Sequence, residues 1–271
     1  MLRLGPQQTR FGRRTTRRVS IAMGCAALVA GATVVTPNPA AIAGTAQGVS
    51  AREVAVAAVS PGPGQTVGVA APVTVTFTDA VKNRTAAERS LTVLPAGSDA
   101  PAAGSFTWLD DRVAQWTPAQ FFPAHTPISV SVGGFATSFQ TGSTVVGVAD
   151  LSDYSFTVSI DGVVAREMPA SMGKPKFPTP IGQFTALEKQ RNVTFDSRTI
   201  GIPLDDDEGY LIKGEYGVRV TWGGVYVHSA PWSVGSQGYA NVSHGCINLS
   251  PDNAAWYFDT VRLGDPIIVQ A

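Results

Sequence analysis

Short apolar runs, broken every few residues by glycine, proline or an acid, restrict this fold more than any other feature of the chain. Val73 to Phe77 alternates strictly between apolar residues and threonine. Ser90 to Leu94 and Ile128 to Val132 behave similarly, and Phe106 to Trp108 and Ala114 to Trp116 flank the turn-forming pair Asp110-Asp111. A two-residue period places one face of each run on a core, and strands about 8 to 12 residues apart with such punctuation predict a β-sandwich over residues 55–145. Pro61-Gly62-Pro63-Gly64 reads as a turn just after the first strand, and Val81 to Arg89 as a single helical turn or loop. Trp108, Trp116, Phe121 and Phe122 are expected in the core of this half, and His125, set among prolines, in a structural or surface role.

Residues 146–271 also read mainly as β. Ser155 to Val164 predicts a hairpin, because Asp161-Gly162 between alternating apolar runs suits a type I′ turn, and Ala165 to Met168 extends it. Lys174 to Thr185 is a proline-rich loop entering a strand near Phe184. Val218 to Thr221 and Gly224 to Val227 form strands about Trp222-Gly223-Gly224, the second delivering His228 at its end. One helix is predicted, Asp252 to Phe258, led by Ser250 and Pro251, and Ile267 to Gln270 closes the domain as a strand.

The N-terminus points to export. Residues 1–18 carry six arginines and no acid, Ser20 to Val35 is uncharged and largely apolar, and Ala41-Ile42-Ala43 precedes Gly44 with small-x-small spacing. Residues 1–43 are therefore read as a secretory signal and 44–54 as a spacer. The apolar run is shorter than the roughly 20 residues that span a bilayer, so cleavage is expected, with retention as a membrane anchor the alternative. Met23-Gly24-Cys25 resembles a lipoprotein box only loosely. Without the six signal arginines, 14 basic side chains face 20 acidic ones, a net charge near −6 with histidines neutral. That balance, with no basic stripe after Ala43, argues against nucleic acid.

Loss of the signal would also leave Cys246 as the chain's one thiol, because Cys25 is the other cysteine. An unpaired cysteine in an oxidising compartment calls for a chemical reason. Its neighbours supply one: Ser243-His244-Gly245-Cys246-Ile247-Asn248, with His228 eighteen residues before the cysteine. Free cysteine is only a few per cent ionised at neutral pH and needs a base, for which His228 is the candidate. Holding the tautomer of His228 requires an acceptor on its other nitrogen, which Ser229 can offer through its carbonyl or hydroxyl. Gly245 opens the backbone ahead of Cys246, so the N–H groups of Gly245 and Cys246 are expected to face a developing oxyanion. Ser243 is expected to brace the cysteine from beneath, and Asn248 to orient the loop or a substrate amide.

These residues resemble the signature of the YkuD family of L,D-transpeptidases, a histidine followed some fifteen to twenty residues later by Ser/Thr-His-Gly-Cys-apolar-Asn. The resemblance covers roughly residues 55–271, like short actinobacterial members with one immunoglobulin-like domain ahead of the catalytic one. It implies a peptidoglycan cross-linking enzyme. Cys246 would attack the carbonyl of a diaminopimelate L-centre in a tetrapeptide stem, expel the terminal D-alanine, and pass the acyl group to the amine of a second stem, giving a 3→3 cross-link. It further implies His228 as base and acid, Ser229 as its orienting partner, His244 and Gly245 at the oxyanion site, Tyr210 on a flap over the site, and Trp232 at its mouth. Carbapenems are implied as covalent inhibitors. No cofactor or metal is implied, and the protein is expected to act in the cell envelope, in periplasm or wall, as a monomer.

Other readings of the same residues exist. Cys246, His244 and His228 are suitable zinc ligands but lack an evident fourth. A buried inert cysteine fits poorly with Gly245 and its polar neighbours. Hydrolysis of the same thioester would give an L,D-carboxypeptidase or stem endopeptidase, and loss of the chemistry a wall-binding protein. Residues 191–210 are expected to form the flap, with the acids Asp205 to Glu208 solvating its tip, and Lys174, Lys176 and Arg219 are read as surface charges without a specific task.

Overall fold

A computed structural model of the chain describes residues 55–271; the stretches read as signal and spacer, with Cys25, lie outside the described residues. The alternation of Val73 to Phe77 sets the pattern of the first half, with Val73, Val75 and Phe77 buried and the threonines between them half-covered. The strands there are β1 (Val56–Ser60), β2 (Thr66–Val67), β3 (Val73–Phe77), β4 (Thr92–Pro95), β5 (Gly104–Trp108), β6 (Val113–Pro118), β7 (Pro127–Val132) and β8 (Phe135–Thr141). They form two sheets, ordered β1-β3-β6-β5 and β2-β8-β7-β4, that enclose one apolar core. Within it Trp116 stacks on Phe122, ring centroids 6.2 Å apart, and Phe122 meets Phe139 edge-on at 6.0 Å.

Two readings of this half change. Phe121 is 39% exposed rather than in the core, because successive residues of an extended segment point to opposite sides and Phe122 takes the inner one. Residues 84–90 form a helix, α1 (Arg84–Ser90), longer than a single turn, which Asn83 starts by accepting the Ala86 N–H at 3.1 Å. His125 stays at the surface as expected, its Nε2 3.5 Å from Asp161 Oδ2.

The second half comprises β9 (Val145–Asp150), β10 (Ser155–Ile160), β11 (Val163–Pro169), β12 (Gly182–Thr185), β13 (Glu188–Asp196), β14 (Leu211–Arg219), β15 (Tyr226–Ser229), β16 (Ile247–Leu249), α2 (Pro251–Thr260) and β17 (Pro266–Gln270). The β10–β11 hairpin turns at Asp161 and Gly162, both at positive φ (49° and 82°), as an Asp-Gly type I′ turn requires. One sheet runs β11-β10-β9-β17-β12 and the other β13-β14-β15-β16. Their shared core holds Phe156, Met168, Met172, Ile247, Leu249, Tyr257 and Ile267, with Phe156 edge-on to Tyr257 at 4.9 Å. The segment expected to be all flap begins as strand: β13 takes residues up to Asp196 and pairs along β14, leaving 197–210 as the loop. Its charged and amide residues, Arg191 and Asn192, hide a strand whose inward position is Val193.

The two halves meet backbone to backbone. Gly68 N–H donates to Leu263 O at 2.8 Å and Ala70 N–H to Gly264 O at 2.9 Å. A Cβ on Gly68 would lie 2.1 Å from the Asp265 nitrogen, and one on Gly264, at φ 85°, 2.4 Å from Ala71 Cβ. Since backbone cannot yield as a flexible side chain does, Gly68→Ala is expected to cost about 1–3 kcal/mol. Calorimetry of the variant should show a melting point several degrees lower, and an unchanged melt would mean that the junction is loose.

Candidate active site

Strands β15 and β16 run parallel, with Val227 level with Ile247, His228 with Asn248 and Ser229 with Leu249. Side chains on neighbouring parallel strands share a face at every second residue, so Cys246, two residues before Asn248, falls on the His228 side of the ladder. The crossover joining the strands, residues 230–246, carries Trp232, Ser243, His244 and Gly245 back over that face. His228, Trp232, Ser243, His244, Cys246 and Asn248 thus line one cavity of about 350 Å³, which Phe195 and residues 207–210 close from the β13–β14 side.

Each expected brace can be followed atom by atom. His228 Nδ1 donates to the Ser229 carbonyl at 2.8 Å, which leaves Nε2 as the free, accepting nitrogen. The acceptor is the carbonyl; the Ser229 hydroxyl is not involved. The imidazole is 3% exposed and packs against Phe195 and Trp232, ring centroids 4.3 Å and 5.9 Å away. Ser243 Oγ donates to Cys246 O at 2.7 Å and accepts the Gly245 N–H at 3.0 Å. That second bond corrects one expectation: the Gly245 N–H is spent inside the loop, so of the two backbone donors named for an oxyanion only that of Cys246 is left. Gly245 itself sits at φ 115°, a conformation open to glycine, and Thr179 Oγ1 holds its carbonyl at 2.9 Å. Asn248, on the cavity lining, donates to Ser233 Oγ at 3.2 Å while its buried Oδ1 has no protein partner.

Burial sets the protonation of the reacting pair. It pushes the Cys246 thiol up to about 11, against a smaller opposing pull from a hydrogen bond of the Tyr226 backbone. It pushes His228 down to about 4, only partly offset by the Ser229 carbonyl. The resting site therefore holds a neutral thiol, directed at the Gly224 carbonyl at 3.7 Å, in the same cavity as a neutral imidazole. Tyr210, raised to about 12 chiefly by burial, stays a phenol on the cavity lining, its ring 5.0 Å from that of His244.

The acidic loop tip departs most from expectation. Glu208 is 23% exposed in its side chain and is not a solvating group: its carboxylate meets Lys174, His244 Nε2 at 2.8 Å and Lys176 at 3.6 Å. Lys174 and Lys176, set aside as surface charges, therefore belong to the rim of the site. Arg219 does not, since it pairs with Glu188 at 2.8 Å away from the cavity. Phe195, Thr179 and Ser233 also escaped sequence reading, because an aromatic on a strand and hydroxyls in loops carry no local signal of a site. Among the described residues no group of three or more His, Cys, Asp or Glu side chains is arranged to hold a metal ion.

A thiol, a base with fixed tautomer and a roofed cavity suit nucleophilic attack on a carbonyl. Comparison with known proteins agrees. The model of the L,D-transpeptidase catalytic domain, YkuD, matches residues 144–269, and that of a bacterial Ig domain matches residues 28–133, starting inside the stretch read as signal. L,D-transpeptidase 1 of Mycobacterium tuberculosis is 58% identical over 214 residues, which span 79% of this chain and 84% of that protein. The chain belongs to the L,D-transpeptidase family. A solved L,D-transpeptidase from Mycobacterium smegmatis superposes with a TM-score of 0.77 at 65% identity, covering 80% of this chain and 99% of its own. A second solved family member, in complex with imipenem, gives 0.75 at 58% identity, covering 79% and 98%.

Membership makes the protein a mainly β enzyme with an Ig-like domain ahead of its YkuD domain. The protonation state makes a further prediction about the family thiol here. With the thiol at about 11, its ionised fraction rises tenfold per pH unit through the neutral range, so alkylation of Cys246 by iodoacetamide should accelerate about tenfold per unit from pH 6 to 9. A plateau below pH 9, read by mass spectrometry, would mean that a thiolate is already present.

Proposed function

We propose that Cys246 is the nucleophile and His228 the base of a peptidoglycan L,D-transpeptidase that forms 3→3 cross-links. The single cavity lined by His228 and Cys246, with Nδ1 already committed to Ser229, is the observation that carries this reading. A tetrapeptide stem enters the cavity with the carbonyl of its diaminopimelate L-centre over the sulfur. Cys246 Sγ bonds to that carbon as its proton passes to His228 Nε2, and the carbonyl oxygen takes up the electron pair as an oxyanion facing the Cys246 N–H. Collapse breaks the C–N bond, His228 returns the proton to the departing D-alanine amine, and a thioester remains. The side-chain amine of a second stem then attacks the thioester, loses its proton to His228 and displaces the sulfur, which recovers that proton.

Asn248 Oδ1, buried and without a protein partner, is suited to accept an N–H from the stem backbone. Tyr210 and Trp232, both on the cavity lining, limit the access of water to the thioester. β-Lactams of the carbapenem class offer the same sulfur a strained carbonyl: attack forms the thioester as the ring C–N bond breaks, the freed amine stays tethered to the acyl group, and the acyl-enzyme persists. The enzyme works outside the cytoplasm, in periplasm or wall, as a monomer. A cleaved signal would release it, and a retained one would tether it to the membrane.

Two measurements test the assignment. Cys246→Ala should take up no carbapenem mass while keeping its fold, and His228→Ala should slow acylation by about 10² or more; an adduct on the alanine variant would refute the nucleophile. Disaccharide-tetrapeptide should yield dimers with release of D-alanine. Tripeptide monomer as the sole product would instead make the enzyme a carboxypeptidase.

A further inference from the structure

Three polar side chains converge on one carboxylate at the cavity rim. Glu208 Oε2 accepts from Lys174 Nζ and from His244 Nε2 at 2.8 Å, and Oε1 lies 3.6 Å from Lys176 Nζ. The Lys174 hydrogen bond, ahead of that from His244 and the charge of Lys176, holds the Glu208 carboxyl down at about 2.

The donors and the acceptor are mounted differently. Lys174 N–H bonds Ser243 O at 3.0 Å, and Gly173 N–H bonds Thr179 Oγ1 at 2.9 Å, so the lysine is tied to the residue next to His244. The His244 ring is clamped between Phe177 and Tyr210, centroids 4.8 Å and 5.0 Å away, and both ammonium groups lie over the Phe177 ring at 5.6 Å and 5.2 Å. Glu208, by contrast, hangs from a loop whose bonds are largely its own: Glu208 N–H to Asp206 Oδ1 at 2.8 Å, Gly209 N–H to Asp206 O at 2.8 Å and Asp206 N–H to Pro203 O at 3.3 Å. The cations are part of the scaffold, whereas the anion belongs to a separate element that reaches in. Both ammonium groups share the Glu208 carboxylate, and Asp207 is the other acid on the cavity lining.

We propose that Lys174, Lys176 and His244 form a subsite for a carboxylate of the stem peptide, which Glu208 fills in the free enzyme. This rests on the reading of Cys246 as the residue that is acylated, since it places the subsite beside the carbonyl under attack. A stem poised there offers two candidate carboxylates, that of the diaminopimelate D-centre and the C-terminal one of the departing D-alanine. An incoming carboxylate takes the three donors, Glu208 withdraws with the loop, and the enzyme tells a free acid from its amide at that position. An amide oxygen carries no charge for the ammonium groups, and charge-assisted bonds of this kind are about twice as strong as neutral ones.

Binding without turnover provides the test, using the full chain with Cys246→Ala and the disaccharide-tetrapeptide as free acid or amidated at one or the other carboxylate. By titration calorimetry, Lys174→Met should weaken the acid stem about tenfold. One of the two mono-amides should show the same loss on unsubstituted Lys174 and no further loss on Lys174→Met, which identifies the carboxylate recognised. Glu208→Gln, which removes the occupant's charge, should tighten the acid stem about three- to tenfold. Weaker or unchanged binding by Glu208→Gln would make Glu208 a tether for the loop, and equal effects of Lys174→Met on the acid and both amides would remove the subsite; either result overturns the proposal. Because no acyl transfer is involved, failure here is separate from failure of the active thiol variant to cross-link, which concerns the catalytic reading alone.

Discussion

The parallel pairing of β15 with β16 is the interaction on which the site depends. Two strands of four and three residues, joined by a long crossover, put His228 and Asn248 level and leave Cys246 at the entrance to the ladder. Parallel pairs need such crossovers, and here the crossover is also the functional loop. The buried side chains Ile247 and Leu249 anchor β16 in the core shared by both sheets, so core packing and the placement of the sulfur are one constraint. A change that slipped this register by one residue would turn Cys246 away from the imidazole.

Burial gives the pair a particular chemical character. A thiol and an imidazole that are both neutral create no separated charge in a poorly solvated cavity. Proton transfer becomes favourable only as a carbonyl takes up the electron pair, when the charge moves to an oxygen that the Cys246 N–H can face. The site thus trades a ready nucleophile for selectivity among electrophiles. Its hydrogen bonds fit that arrangement, since the Ser229 carbonyl fixes which nitrogen accepts without adding a carboxylate that would hold the imidazole charged.

Much of this was legible in the chain. The alternation of Val73 to Phe77, the Asp161-Gly162 turn and the proline-led helix at Pro251 are local signals, and each produced the element it specified. The cysteine loop was legible because its residue types are unusual together. What stayed hidden depends on partners distant in sequence. β13 was masked by polar residues whose alternation makes sense only once β14 lies beside them, and Phe121 could not be told from Phe122 without knowing which side faces inward. Glu208 looked like one acid among four, and its role emerged only when folding brought it to Lys174 and His244, residues 34 and 36 positions away.

The place of β17 has a consequence of its own. This strand lies between β9 and β12, one place in from the edge of the five-stranded sheet, pairing in parallel with the first strand of the domain. As the chain emerges with its N-terminus leading, β9, β10 and β11 can associate early, but the edge of β9 stays bare until β17 follows. The sandwich half faces no such delay, since all its strands precede residue 142. A molecule lacking β17 would lose the strand that joins β9 to β12 and would present an open strand to its neighbours instead of a closed sheet.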